Sequence, residues 1–214
     1  MKIESSLRPS ITRRDFLKTS AVAASAATMG TLELGVHAAG SDSIKVGMIG
    51  CGGRNAGAAA QALNADPGAR LVAMCDIFRD RVEKARSTLK QTKGDQVAVD
   101  EGHCFTGFDG YKHVIAASDV VLIANAAKFH PYHSMAAIRA GKHVFVEKPH
   151  GIDPASVKLM QQACDLAREK KLCIVSGLHS RFHTGYAETV QRIRDGAIGD
   201  VVSIEENFLR APYG

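Results

Sequence analysis

Short continuous apolar runs alternate along the chain with longer segments whose apolar residues recur at helical spacing. The runs are Ser43 to Ile49, Arg70 to Cys75, Asp119 to Ala124, His143 to Val146 and Leu172 to Ser176. Runs of that length, with little polar alternation, predict strands of a parallel sheet buried on both faces. Between them, the spacing predicts helices over Gly53 to about Leu63, Phe78 to Leu89, Tyr111 to Ala117, His130 to Ala140, and Pro154 to about Lys170. Phe105-Thr106 predicts one more brief strand, and the polar stretch Gln91 to Gly102 predicts a loop. Turn and cap residues fall where this scheme needs them. Asp66-Pro67-Gly68 ends one helix, Gly141 stops another, and Asp153-Pro154 supplies an N-cap followed by proline at the first helical position. The alternation over residues 43–178 predicts an α/β fold built on a doubly wound parallel sheet.

Residues 179–214 read differently. Tyr186 to Asp195 predicts a helix stopped by Gly196. In Val201 to Leu209, Val202, Ile204 and Phe208 alternate with Ser203, Glu205 and Asn207, which predicts a strand in a sheet with one open face. This looks like the first helix and strand of an α+β domain that is cut short.

The first 38 residues carry an address. Thr12-Arg13-Arg14-Asp15-Phe16-Leu17-Lys18 is a twin-arginine pattern, a weakly apolar stretch runs from Thr19 to Met29, and Val36-His37-Ala38 offers a cleavage site. Together they predict a bacterial export signal and a periplasmic or otherwise exported product. The stretch is too short and too polar to span a membrane stably.

Composition narrows the function classes. The chain has 214 residues, 45% hydrophobic and 23% charged, as in an ordinary globular protein. Its net charge of +5 suggests nucleic acid, but the signal holds +2 of it and the longest basic run elsewhere is Lys170-Lys171. Aromatics are 6% with no Trp, so neither a basic footprint nor a stacking platform for nucleic acid is present. The five cysteines have no paired spacing and read as small buried hydrophobes. No His/Cys set has the spacing of a four-ligand metal site.

The chemistry concentrates after the first strand. Gly50-Cys51-Gly52-Gly53-Arg54-Asn55 lies between a strand and a helix, and Asp76 ends the next strand, 24 residues beyond Gly52. A dinucleotide-binding unit requires this order. Gly50 permits the tight turn, Gly52 lets the backbone approach a pyrophosphate, and the helix from Gly53 aims free amides at it. Asp76 can accept both ribose hydroxyls, which favours NAD, while Arg79 and Arg81 keep NADP open. Asn55 stands where a third glycine is usual, so Gly57 and Ala58 to Ala60 are expected to supply the close helix–strand packing.

A second motif follows: His130-x3-Ser-x2-Ala-x2-Ala-Gly-Lys-His-Val-Phe-Val-Glu-Lys-Pro, ending at Pro149. With the glycine loop and Asp195-Gly196-Ala197-Ile198-Gly199-Asp200, it closely resembles the glucose–fructose oxidoreductase / inositol dehydrogenase / MocA family. The resemblance covers nearly all of residues 44–214. It implies a Rossmann domain over 43–178 and a substrate and dimerisation domain beginning at 179. It also implies hydride transfer between NAD or NADP and a sugar, cyclitol or similar polyol. Lys148 matches the family's catalytic lysine, its alternative being a structural pair with Glu147. Glu147 and Asn125 match positions near the nicotinamide, and Lys148-Pro149 matches a turn that can hold a cis bond. His130 either contributes to that region or simply opens its helix. His179 and Arg181 match the segment opening the substrate pocket, although Arg181 equally suits a surface ion pair. Some relatives are glycosidases that keep NAD bound, and a nucleotide-binding module without activity is a third alternative. The family's second-domain catalytic Asp and His have no counterparts in this sequence, and neither does most of the sheet through which full-length relatives form homo-oligomers.

Overall fold

A computed structural model describes residues 43–209; the signal (1–38) and Arg210 to Gly214 lie outside the described residues. Among the described residues six strands form one sheet: β1 (Ile44–Ile49), β2 (Ala69–Asp76), β3 (Cys104–Thr106), β4 (Val120–Ile123), β5 (His143–Val146) and β6 (Ile174–Ser176). Their order is β3-β2-β1-β4-β5-β6, with every pair parallel. The helices between them are α1 (Gly53–Ala65), α2 (Arg79–Lys93), α3 (Gly110–Ala117), α4 (His130–Arg139) and α5 (Pro154–Glu169). The doubly wound sheet expected from the apolar runs is present.

The buried runs are explained by what covers them. Val46 and Met48 of β1, Leu71 and Met74 of β2 and Leu122 of β4 pack in one cluster with Leu63 of α1 and Val82 and Leu89 of α2. Their neighbours Ile49, Cys75, Val121, Ile123 and Val146 face the other side, toward Val114 of α3, Ile138 of α4 and Met160 of α5. Strand side chains alternate between faces, so helices on both faces turn an alternating geometry into a continuous apolar sequence. The predicted caps hold too. Ser156 N–H donates to Asp153 Oδ1 at 2.7 Å and Asp153 N–H donates to Ser156 Oγ at 3.1 Å, a reciprocal box at the start of α5.

Two expectations need correction. Gln91 to Gly102 is not a plain loop. Helix α2 continues to Lys93, two 3-10 turns follow (Gly94–Gln96 and Glu101–His103), and Val97 and Val99 are buried between them. Ala98 N–H donates to Leu71 O at 2.9 Å, so this segment forms an isolated bridge beside β2. Two core residues set among ten polar or small ones are too few to show as a periodic pattern. The second correction is Val201 to Leu209, which forms no strand; Val202 and Leu209 are 94% and 93% exposed. A strand is defined by its ladder, and this segment has no partner among the described residues. The preceding helices α6 (His179–Phe182) and α7 (Thr184–Arg194) bury no residue.

Candidate active site

The register of the sheet builds the site. Ile49 of β1 pairs with Cys75 of β2 and Ile123 of β4, Ile123 with Val146 of β5, and Val146 with Ser176 of β6. The carboxyl ends of the central strands therefore lie level. The segments leaving them carry Gly50, Asn125, Glu147, Lys148 and Gly177 to one edge. The order reverses between β1 and β4, whose connections leave on opposite faces and open a crevice where ligands of such sheets bind.

Two clefts meet there, sharing Ala124 and Asn125. The smaller, about 230 Å³, is lined by Gly52, Asp76, Phe78, Arg81, Tyr111 and His133, among others. The larger, about 790 Å³, is lined by Arg54, Asn125, His130, Glu147, Lys148, His179 and Arg181, among others. The structure thus gathers the sequence-predicted residues at one edge, in two lobes.

The glycine loop fits a pyrophosphate. A Cβ added at Gly52 or Gly53 would meet nothing within 4 Å, so the space above the loop is open. The amides of the first turn of α1 have no intrahelical partner and face that space. Asp76 is held in place: Oδ2 accepts from Cys51 N–H at 2.7 Å and Oδ1 from Phe78 N–H at 3.1 Å. A carboxylate offers about four lone-pair directions, so two remain for ribose hydroxyls. Arg79 is committed to Glu83, Glu101 and the Cys104 carbonyl. Arg81 instead lies 5.0 Å from the Phe78 ring centre, at the mouth of the smaller cleft.

Asn55, expected with Arg54 among the cofactor-binding residues of the glycine loop, turns its side chain into the fold. Its side chain is fully buried, and Nδ2 donates to the carbonyls of Ile49 (2.9 Å), Gly50 (2.8 Å) and Leu122 (3.2 Å). It pins the first turn of α1 to β1 and β4. The expected substitution of Gly57 for the missing glycine does not occur: Gly57 is exposed and a Cβ there meets nothing. Ala58 and Ala59 are buried, and Asn55 fills the remaining gap with hydrogen bonds.

The second motif is braced in the same way. His130 opens α4 and is 2% exposed, with Nδ1 2.8 Å from Pro149 O and Nε2 3.0 Å from Asn125 O. It links the segments that follow β4 and β5, and the Lys148-Pro149 peptide in the latter segment is cis as expected. Glu147 is 5% exposed and pairs with Arg54, not with Lys148. Its carboxylate occupies the space a side chain at Gly177 would need, since a Cβ there would collide with Glu147 Oε1. Lys148 is exposed to the larger cleft and has no ion-pair partner among the described residues. His179 and Arg181 lie on α6 across that cleft, and Arg181 likewise has no acidic partner among the described residues.

Sequence reasoning missed His133 and Tyr111. His133 is stacked on Tyr111 (centroids 4.3 Å apart) and Phe129 (5.6 Å), and its Nδ1 lies 3.0 Å from Asn125 Nδ2. Burial, with a smaller contribution from His130, lowers its pKa to about 4. The only signal in the sequence was its position one turn after His130. Between the ordinary pKa of 6.5 and about 4, the unfolded chain takes up a proton that the folded one refuses. Stability is therefore full above pH 6.5 and falls as pH drops through that window, by up to about 3 kcal/mol. Urea midpoints from pH 7 to 4.5 are expected to fall less steeply in His133→Phe than in the native chain.

Three of the five cysteines, Cys51, Cys75 and Cys104, are buried as expected; Cys164 is partly buried and Cys173 exposed. Burial pushes the Cys51 and Cys75 thiols up, Cys75 to about 12, so both stay protonated under the glycine loop.

A parallel sheet in this order, with a glycine turn at its switch point and an acid at the end of the next strand, defines a dinucleotide-binding Rossmann domain. The chain belongs to the glucose–fructose oxidoreductase / inositol dehydrogenase / MocA group, the oxidoreductase family with an NAD-binding Rossmann fold, which it matches over residues 44–178. Residues 10–30 match the twin-arginine translocation signal, which marks the chain for export by that pathway. Among the described residues no helix is long and apolar enough to cross a membrane. An inositol 2-dehydrogenase of Gluconacetobacter diazotrophicus is 30% identical over 161 residues, covering 74% of this chain and 44% of that protein. A glycosyl hydrolase family 109 protein of Streptomyces coelicolor is 26% identical over 178 residues, covering 82% and 36%. Among solved structures, scyllo-inositol dehydrogenase from Lactobacillus casei with bound NAD(H) and scyllo-inositol superposes with a TM-score of 0.57 at 29% identity, covering 74% and 43%. Myo-inositol 2-dehydrogenase from Lactobacillus plantarum gives 0.61 at 26%, covering 75% and 43%. The chain spans from just under a third to somewhat under half of the curated relatives it matches.

Proposed function

We propose that this chain is the cofactor half of an exported dehydrogenase that moves hydride between a nicotinamide and a carbinol carbon of a sugar, cyclitol or similar polyol. The observation that carries it is Lys148: an ammonium without an acidic partner among the described residues, at the carboxyl end of β5, facing a cleft of about 790 Å³. Asp76 and the first turn of α1 hold the adenosine and pyrophosphate, and Asn125 stands where the two lobes meet. When bound, the nicotinamide supplies the hydride acceptor or donor. Lys148 hydrogen-bonds the reacting hydroxyl and stabilises the charge that develops on its oxygen. His130 fixes the two segments between which that hydroxyl lies. His179 and Arg181 face the substrate from the other wall. The carboxylate of Asp76 favours NAD over NADP, because a 2′-phosphate would meet a negative charge. Arg81 is the cation left to accept such a phosphate, since Arg79 is engaged elsewhere.

NADH fluorescence titration of the folded chain tests the proposal, which fails if no binding is seen. Asp76→Ala is expected to weaken NADH about tenfold, roughly 1.4 kcal/mol, and to narrow its advantage over NADPH. Lys148→Ala is expected to leave NADH affinity within about twofold, since its contact is with the reacting hydroxyl.

The glycosyl hydrolase family 109 relative favours a second reading, glycoside cleavage on the same scaffold with the cofactor retained. Sugar release from a glycoside without net change in NADH absorbance distinguishes it from dehydrogenation.

A further inference from the structure

Arg54 lies in the glycine loop, yet its side chain is directed at the second motif. It stands in the first turn of α1, where the loop meets the pyrophosphate site, and its guanidinium pairs with Glu147 at the end of β5. The same guanidinium sits 6.0 Å from the Phe145 ring centre, so it crosses the edge of the sheet over β5. Glu147 has no freedom to leave. Its side chain is 6% exposed and pressed against Gly177, whereas the Arg54 side chain is 48% exposed. A buried carboxylate stripped of its cation is strongly disfavoured, and a neighbouring cation is drawn in to replace the lost partner. That neighbouring cation is Lys148, the next residue along the chain and a lining residue of the same cleft.

We propose that Arg54 is a positioning residue for Lys148: by holding the Glu147 carboxylate, it leaves the Lys148 ammonium unpaired and directed into the cleft. The inference rests on the reading of Lys148 as the group that meets the reacting hydroxyl. It gives the arginine of the glycine loop a task apart from cofactor binding and ties the cofactor loop to the catalytic strand. The charged and titratable groups facing this part of the cleft are Arg54 from α1, His130 from α4, Glu147 beyond β5, and His179 and Arg181 from α6. Glu147 is the only acid among them, so whichever cation holds it determines the field at Lys148.

The test reads Lys148 directly. Limited acetylation with acetic anhydride modifies the neutral amine, and mass spectrometry reports its rate at Lys148 from about pH 7 to 10. In Arg54→Gln the unpaired Glu147 is expected to stabilise the ammonium. Labelling at Lys148 then slows roughly three- to tenfold near pH 8, and its profile moves to higher pH. The double variant Arg54→Gln/Glu147→Gln is expected to return to the native rate, and Arg54→Lys to stay close to it. Glu147→Gln alone, which buries no unpaired charge, carries the test even if Arg54→Gln does not fold. The cation left at Arg54 is expected to speed labelling roughly two- to threefold. A native labelling rate in folded Arg54→Gln, a slowing that the double variant does not relieve, or an unchanged or slower rate in Glu147→Gln would overturn the proposal. Because the readout needs no cofactor, it is separate from NADH titration: a chain that binds no NADH defeats the proposed function and leaves this measurement interpretable.

Discussion

Replacing Gly50 by alanine is expected to destabilise the domain by about 2–6 kcal/mol and to abolish measurable NADH binding. Gly50 has φ +89°, a conformation that costs a residue with a side chain about 1–3 kcal/mol. A Cβ there would also lie 2.8 Å from the Cα and Cβ of Asn125 and 2.9 Å from its N. That obstruction is backbone, which cannot swing aside as a side chain would, and overpacking of this kind adds roughly 1–3 kcal/mol. Relief would require the β1 turn and the Asn125 segment to separate, and that gap is where the two lobes of the cleft meet. Gly52→Ala is the control. Its Cβ meets no atom, so stability is expected to change by less than about 0.5 kcal/mol, while the methyl group intrudes on the approach to the pyrophosphate and weakens NADH. Urea midpoints and NADH titrations of the two variants separate loss of fold from loss of contact. A stable, binding-competent Gly50→Ala would show that the turn is not the one described.

Asn55 yields the second large effect. Asn55→Ala is expected to lower stability by about 2–4 kcal/mol, because both N–H groups of a buried amide, shared among three carbonyls, are lost together. Asn55→Asp should be worse than alanine despite its similar shape. It sets a carboxylate oxygen where the amide donated, facing the carbonyls of Ile49, Gly50 and Leu122. Asn55→Gly, which restores the usual third glycine, removes the same amide donor and is expected to behave like alanine. The ranking of the three by urea denaturation at pH 7 tests the arrangement. An aspartate variant as stable as the native chain would contradict it.

These two residues show where a sequence speaks and where it does not. Gly50 was legible: a glycine that ends a strand and precedes a helix has few other uses. Asn55 was legible only as a departure from a pattern. Its three acceptors come from β1, the turn after it and β4, and no local spacing announces that β4 lies beside β1. The partner of Glu147, beside Lys148, follows the same rule. Glu147 and Lys148 are adjacent in sequence, which suggests a pair, but the cation that reaches Glu147 comes from α1, 93 positions earlier. His133 was missed for a related reason. A histidine on an apolar helix face reads as core, and only Tyr111 and Phe129 closing on it from other elements make it a neutral group in a cleft wall.

The tail beyond α7 shows the converse. Alternation in Val201 to Leu209 gave a sound expectation of which residues would share a face. Whether they form a strand depends on a neighbouring strand, and none lies beside them among the described residues.

By itself, the sequence determined the alternation of strand and helix, the caps, the glycine turn, the acid at the end of β2 and the export signal. All of these are local, set by periodicity, backbone freedom and short-range hydrogen bonding. Tertiary structure decided the strand order, the level ends of the central strands and the identity of each buried group's partner. Those depend on which segments lie side by side in space, and the cost of leaving a buried carbonyl, carboxylate or imidazole unpartnered fixes the choice only once the sheet has brought them together.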